Sequence, residues 1–316
     1  MSYAYVSNSS AGTISKIDLD GFTVVAAIPL GGAPNSIAVD SAGEFAYVAI
    51  GGLGSNSISK VNLSTSLTVG AALRVGQGSR TVIIDPSGTY AYTTNYISKS
   101  VTRIHLSSFT TALSFNIDAN PGPVSIAIDP SGTFAYVVSA APNVTKIKLD
   151  TFTLAGSLAL SGGGTQYDIA IDPSEMFAYV TNQNGGTITK IDLSTFKVAA
   201  TLTLETPYSV AIDSSGTFAY VTNHAPGTLT KIDLSIFNLV GSPLACGEGC
   251  AGVAIAGNGN IYVVNTLDGT VTEIDYVTFK VVRSALAVGT LPQRIAIDSI
   301  PSPDLSHKAL PTLKAV

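Results

Sequence analysis

Seven tyrosines, Tyr5, Tyr47, Tyr92, Tyr136, Tyr179, Tyr220 and Tyr262, recur at spacings of 42, 45, 44, 43, 41 and 42 residues. Six follow Ala and six precede Val, so the recurring unit is a short apolar tetrad of the form Phe-Ala-Tyr-Val. A period in this range is the mark of stacked or closed repeats, in which no unit buries its faces alone. Ahead of six tetrads lies a second apolar run that mostly ends in Asp, as in Ser36-Ile37-Ala38-Val39-Asp40 and Val210-Ala211-Ile212-Asp213. A seventh such run, Ile295-Ala296-Ile297-Asp298, stands alone at the far end.

Each unit reads as four strands. Strand A is the unbroken apolar run, as expected of a strand covered on both faces. Strand B is the tyrosine tetrad. Between them Asp85-Pro86-Ser87-Gly88 has the residues of a type I turn, with Asp accepting, Pro fixing φ and Gly free to adopt positive φ. Strand C is Thr187-Ile188-Thr189-Lys190-Ile191-Asp192-Leu193, and strand D follows a Ser-Thr-Phe turn as Lys197 to Leu202, both rich in β-branched residues. Seven such units describe an all-β, seven-bladed β-propeller of four-stranded antiparallel blades. Because the chain starts at a strand B and ends on an orphan strand A, the C-terminal strand must pair with the N-terminal three to close the ring. Residues 1–298 then form a single propeller, and 299–316, with Pro301, Pro303 and Pro311, read as a C-terminal tail.

Tyr179-Val180-Thr181-Asn182 and Tyr220-Val221-Thr222-Asn223 carry a further likeness, with weaker forms at Tyr92-Thr93-Thr94-Asn95 and Tyr262-Val263-Val264-Asn265. Over residues 3 to 298 the chain resembles the YVTN-repeat β-propellers. That resemblance implies a surface-layer-type seven-bladed propeller, an extracellular surface protein, although related propellers also serve as enzymes or subunits of redox complexes. Fold alone does not select among these.

Composition narrows the partners. A net charge of -5, with 16 basic residues that form no run, disfavours nucleic acid and anionic lipid. The long uncharged stretch between Asp20 and Asp40 is interrupted by Pro29 and Pro34, so no membrane span is expected. No secretory signal is visible in this chain. Low charge with abundant Ser, Thr and Gly, together with the resemblance, leads to the expectation of an extracytoplasmic protein, at the cell surface, in the periplasm or secreted. A monomer is expected. Cys246 and Cys250, flanking Gly-Glu-Gly, are expected to form a local disulfide, being too few for a zinc site. Asn8, Asn62 and Asn143 fit the glycosylation sequon, a match that chance explains in a chain this rich in Asn, Ser and Thr.

Residues that recur at one blade position serve the blade, so removing them isolates candidates. Lys16, Lys60, Arg103, Lys146, Lys190 and Lys231 share one position of strand C, and Asp18, Asp192, Asp233 and Asp275 stand two residues on, which predicts structural charge pairs. Loop lengths separate the two faces of the ring. The A–B and C–D connections are nearly constant, whereas B–C and D–A connections vary, and these two share one rim. Variation confined to one face marks a binding face. Irregular residues on that face are Arg80, Asp118, Tyr167, Asp168, Glu205, Tyr208, His224, Glu248, Asp268, Gln293 and Arg294.

The candidate ligand-binding set is Tyr167, Asp168, Tyr208, His224, Gln293 and Arg294, around the mouth of the central funnel. Two aromatics, a carboxylate and a guanidinium suit a glycan or protein partner. His105, His224 and His307 are too scattered for a metal triad or a Ser-His-Asp set. No metal site, catalytic residue or cofactor site is therefore expected. The leading expectation is a non-catalytic binding or surface module. The alternative is a lyase or lactone hydrolase at the funnel mouth, built on Asp168, His224 and Arg294.

Overall fold

The protein is described here by a computed structural model in which residues 2–52, 56–161 and 163–298 are placed. The segment 299–316, with His307, lies outside the described residues. Every regular element among those residues is a strand, and the strands form seven antiparallel sheets. Blade 5 shows the plan: strand A Gln166–Ile171, B Phe177–Asn182, C Thr187–Asp192 and D Lys197–Thr203 lie side by side in that order. Neighbouring A strands touch all the way round, which makes them the wall of a central channel. Blade 1 closes the ring. Its strand A is Pro292–Ile297, paired antiparallel to strand B Tyr3–Asn8 with Ala4 opposite Ile297 and Val6 opposite Ile295.

Strand D is the outer edge and the least regular element. It runs unbroken in blades 1, 3, 4 and 5, with a bulge one residue after the strand C basic position in each. In blades 2, 6 and 7 it splits into two short pieces, such as Leu67–Thr68 and Leu73–Arg74.

The core lies between blades. In strand B of blade 6, Ala219 and Val221 face Tyr179 and Ile188 of blade 5, while Tyr220 on the opposite pleat packs with Cys250, Ile261 and Val263 of blade 7. Alternation at period two thus assigns Ala and Val to one neighbour and Tyr to the other. The two residues that follow Phe-Ala-Tyr-Val in strand B are polar for separate reasons. Thr222 Oγ1 accepts from the Ser209 amide, where strand A bulges, and donates to the Ala251 carbonyl of the next blade. Asn223 Nδ2 donates to Thr228 Oγ1 at 3.0 Å and Thr230 Oγ1 at 2.7 Å, tying the end of strand B to the start of strand C. Asn8, Asn95 and Asn265 repeat this bond pattern. Asn8 is fully buried, so the sequon there cannot carry a glycan in the folded ring.

The expected charge pairs on strand C are replaced by another contact. Lys231 Nζ lies 4.0 Å from the ring centre of Phe218 and 5.7 Å from that of Tyr220, and Lys60, Lys146 and Lys190 repeat this cation–π geometry. The cause is register, because Lys231 stands directly across from Tyr220. Several of these cations also reach a carbonyl one blade on: Lys16 donates to Leu63, Arg103 to Leu149 and Lys190 to Leu234. Burial lowers the pKa of Lys146 and Lys231. The aspartates two residues on turn to the C–D loop. Asp192 Oδ1 accepts from Ser194 Oγ and the Thr195 amide, which holds its carboxyl below the usual range.

Blade 7 departs from this pattern. Its equivalent position is Glu273, fully buried, which accepts from Tyr262 Oη and pairs at 3.0 Å with Arg283, between the two short pieces of strand D. The positive charge has moved one strand outward.

Phe109, Phe196 and Phe237 close the C–D turn. These residues, with Phe22, Phe152 and Phe279, have φ near 50°, a region that side chains seldom adopt. Each ring rests on the tyrosine of the preceding blade, with centroids about 6 Å apart, as in Tyr92–Phe152 and Tyr179–Phe237. Blade 2 has Ser66 at this position. The left-handed turn is what aims the ring backwards, and burial of the ring offsets its strain. Phe152→Ala is accordingly expected to lower stability by about 3 kcal/mol, near the lower end for deleting a buried ring. Urea denaturation checks this, and an unchanged midpoint would show that the ring is not a wedge between blades.

Candidate functional site

Lining up the seven A strands on their apolar runs gives one residue per blade just before the run: Ser36, Thr81, Ser125, Asp168, Ser209, Gly252 and Arg294. Four are small hydroxyls, and they bridge blades. Thr81 Oγ1 donates to the Val124 carbonyl, and Ser125 Oγ donates to Asp168 Oδ1 at 2.8 Å. The three exceptions act together. Arg294 Nη1 reaches Asp168 Oδ2 at 2.7 Å and also donates to Ser209 Oγ, while Ser209 Oγ itself donates to Asp168. The Val210 amide adds a fourth donor to that carboxylate.

Gly252 lies on the blade between Ser209 and Arg294. A Cβ there would stand 2.8 Å from the Gln293 carbonyl and 3.0 Å from Arg294 Cα, so only glycine permits strands A of blades 7 and 1 to approach this closely. Side-chain exposure is 19% for Arg294 and 11% for Asp168, which makes this a largely buried pair spanning the channel. Burial alone would lower the Arg294 pKa, but Asp168 and Tyr208 together outweigh it and the pKa is raised.

One residue nearer the rim, the corresponding ring is Asn35, Arg80, Val124, Tyr167, Tyr208, Ala251 and Gln293. Above the buried pair opens a cavity of about 270 Å³, whose lining includes Asn35, Arg80, Tyr167, Tyr208, Gln293 and Arg294. Tyr167 and Tyr208 pack with centroids 4.5 Å apart and planes tilted by 35°, and Tyr208 stacks in turn on His224 at 5.2 Å. Burial raises the Tyr208 pKa against the opposing fields of Arg294 and Arg80. Arg80 lies with its guanidinium 4.3 Å from the Tyr96 ring centre, and no carboxylate among the described residues is within ion-pair distance of it.

Of the six residues singled out from sequence, Tyr167, Tyr208, Gln293 and Arg294 line this cavity. Asp168 lies beneath it, holding Arg294. His224 sits behind Tyr208 in a neighbouring cleft with Glu248, Asp268 and the loop in which the structure joins Cys246 to Cys250. Its Nδ1 is 3.3 Å from the Cys250 carbonyl. Asp118, Glu205, Glu248 and Asp268 are exposed, and none lines the funnel cavity. His105 is edge-on to Tyr90 and bonded to Ser107, on strand C. Among the described residues no group of three or more His, Cys, Asp or Glu is placed to hold a metal ion. Sequence reasoning passed over Asn35, Gly252 and the hydroxyl pair Ser125 and Ser209. The signal was present in the aligned column, where two opposite charges and a glycine interrupt a run of Ser and Thr.

No family model and no curated protein matches the chain. Solved structures do. A structure titled Kuenenia stuttgartiensis hydrazine synthase is 20% identical with a TM-score of 0.80, over 86% of this chain and 92% of that one. A protein of unknown function from Desulfotomaculum acetoxidans DSM 771 is 17% identical at 0.80, over 93% and 98%. A candidate 6-phosphogluconolactonase from Bacteroides uniformis ATCC 8492 is 14% identical at 0.78, over 94% and 99%. At these identities the likeness establishes the seven-bladed propeller and nothing about chemistry.

Proposed function

We propose that the chain is a non-catalytic binding module that holds a glycan or protein partner on the variable rim, with the funnel cavity as its anchor point. The observation that carries this reading is the structural commitment of Asp168. Its carboxylate accepts from Ser125 at Oδ1 and from Ser209, the Val210 amide and Arg294 at Oδ2. It is largely buried and ion-paired, committed to holding the channel wall and poorly placed to act as a general base or nucleophile. No hydrogen bond joins His224 to Asp168 among the described residues, so the groups required by a lyase or hydrolase at the funnel mouth stand apart. Aromatic faces and amides remain, and these bind without reacting. The joined Cys246 and Cys250 support an oxidising, extracytoplasmic setting, as does the resemblance to YVTN-repeat surface propellers.

A glycan and peptide array probed with the wild-type protein identifies a ligand, and two variants then locate its site. Tyr167→Ala at the cavity is expected to weaken binding tenfold or more. Ser131→Ala in an exposed A–B turn on the opposite face is expected to leave it unchanged. The reverse pattern would place the binding face on the wrong side of the ring.

A further inference from the structure

Resting on that reading, we infer that the funnel cavity is a site for a hydroxylated monocarboxylate of about monosaccharide size, a sugar acid, with Arg80 as the group that takes its carboxylate. Charge is the first argument. Two guanidiniums line the cavity, but Arg294 is neutralised by Asp168, which leaves one uncompensated cation, Arg80. One planar cation matches one carboxylate through two parallel bonds. A phosphate monoester carries close to two charges at neutral pH and would leave one of them unmatched in a partly enclosed site.

Size and polarity supply the rest. About 270 Å³ has room for roughly nine waters, which is the scale of one hexose ring and not of a polymer. Asn35 lines the cavity and donates from Nδ2 to the Ser79 carbonyl, and no donor among the described residues bonds its Oδ1, an acceptor suited to a ligand hydroxyl. Tyr208 is covered on its two faces by Tyr167 and His224, so Tyr167 is the ring that offers apolar area to the C–H face of a sugar. Tyr96 supports Arg80 from behind and reduces the freedom lost when the guanidinium engages a ligand.

The test is calorimetric titration at low ionic strength with D-glucuronate, D-glucose and inorganic phosphate, using the wild type and Arg80→Met. Glucuronate is expected to bind one to one, with glucose and phosphate each at least tenfold weaker. Arg80→Met should cost glucuronate tenfold or more while leaving glucose binding and the Tm unchanged. Absence of glucuronate binding, equal binding of glucuronate and glucose, tighter binding of phosphate, or indifference to Arg80→Met would each overturn the inference. The broader reading is separated by Tyr167→Ala on the array-selected ligand. If that variant still abolishes binding, the funnel is a site of other specificity, and if it does not, both proposals fail.

Discussion

A chain ended after Gly289 is expected to lose its cooperative unfolding transition, whereas one ended after Ile300, which keeps all of the closing strand, serves as the matched control. The shorter chain lacks Pro292–Ile297, and with it the partner of strand B in blade 1. It also loses the bonds that fix both ends of that pairing, from the Ser9 amide to the Leu291 carbonyl and from the Tyr3 amide to Asp298. Ile295 leaves the layer between blades 7 and 1, and Ala296 leaves the layer between blades 1 and 2. Each large aliphatic side chain removed forfeits about 1.5–3 kcal/mol of burial, and the bared edge of strand B invites pairing with other chains. The total approaches the whole stability of a domain, about 5–15 kcal/mol. Thermal denaturation followed by circular dichroism distinguishes the two chains. Equal transitions would mean that blade 1 does not need its C-terminal strand.

Arg294→Ser is expected to destabilise the ring by about 3 kcal/mol, because it strands a largely buried carboxylate at Asp168. The mutation exposes the logic of the column. Ser is the residue found there in blades 2, 4 and 6. Asp168→Ser should likewise be costly, leaving the guanidinium unpaired. The double variant restores the common residue at both places and is expected to lie within about 1 kcal/mol of the wild type. Urea denaturation of all four proteins measures the coupling. Additive losses in the double variant would show that the two charges act independently.

What the sequence made legible follows from what is local and what depends on ring closure. Strand order and the split first blade follow from a period that never varies by more than a few residues, and from an orphan run at 295–298 that has one place to go. The contact partners of the strand C cations were not legible. Lys190 and Asp192 point the same way at period two, yet the ring of Phe177 across the strand and the Leu234 carbonyl in the next blade capture the ammonium. The Phe wedges were hidden because positive φ is expected of Gly or Asn, and here the turn is set by packing. At the site, Tyr167 and Tyr208 stand out by their chemistry at the start of their strands. That Asp168 serves Arg294 required knowing that blades 5, 6 and 1 face one channel and that Gly252 leaves the gap between them.

The central claim is that repeated residues maintain the ring while the departures from repetition at one rim form the binding site. Tyrosine supplies the most direct probe, since the seven blade tyrosines are buried between blades and Tyr167 and Tyr208 line the funnel. Selective labelling of tyrosine with ¹³C, followed by NMR titration with an array-selected ligand, reports on both groups at once. The account predicts that the resonances of Tyr167 and Tyr208 shift while Tyr5, Tyr47, Tyr92, Tyr136, Tyr179, Tyr220 and Tyr262 stay in place. Unmoved funnel tyrosines in the presence of saturating ligand would contradict it.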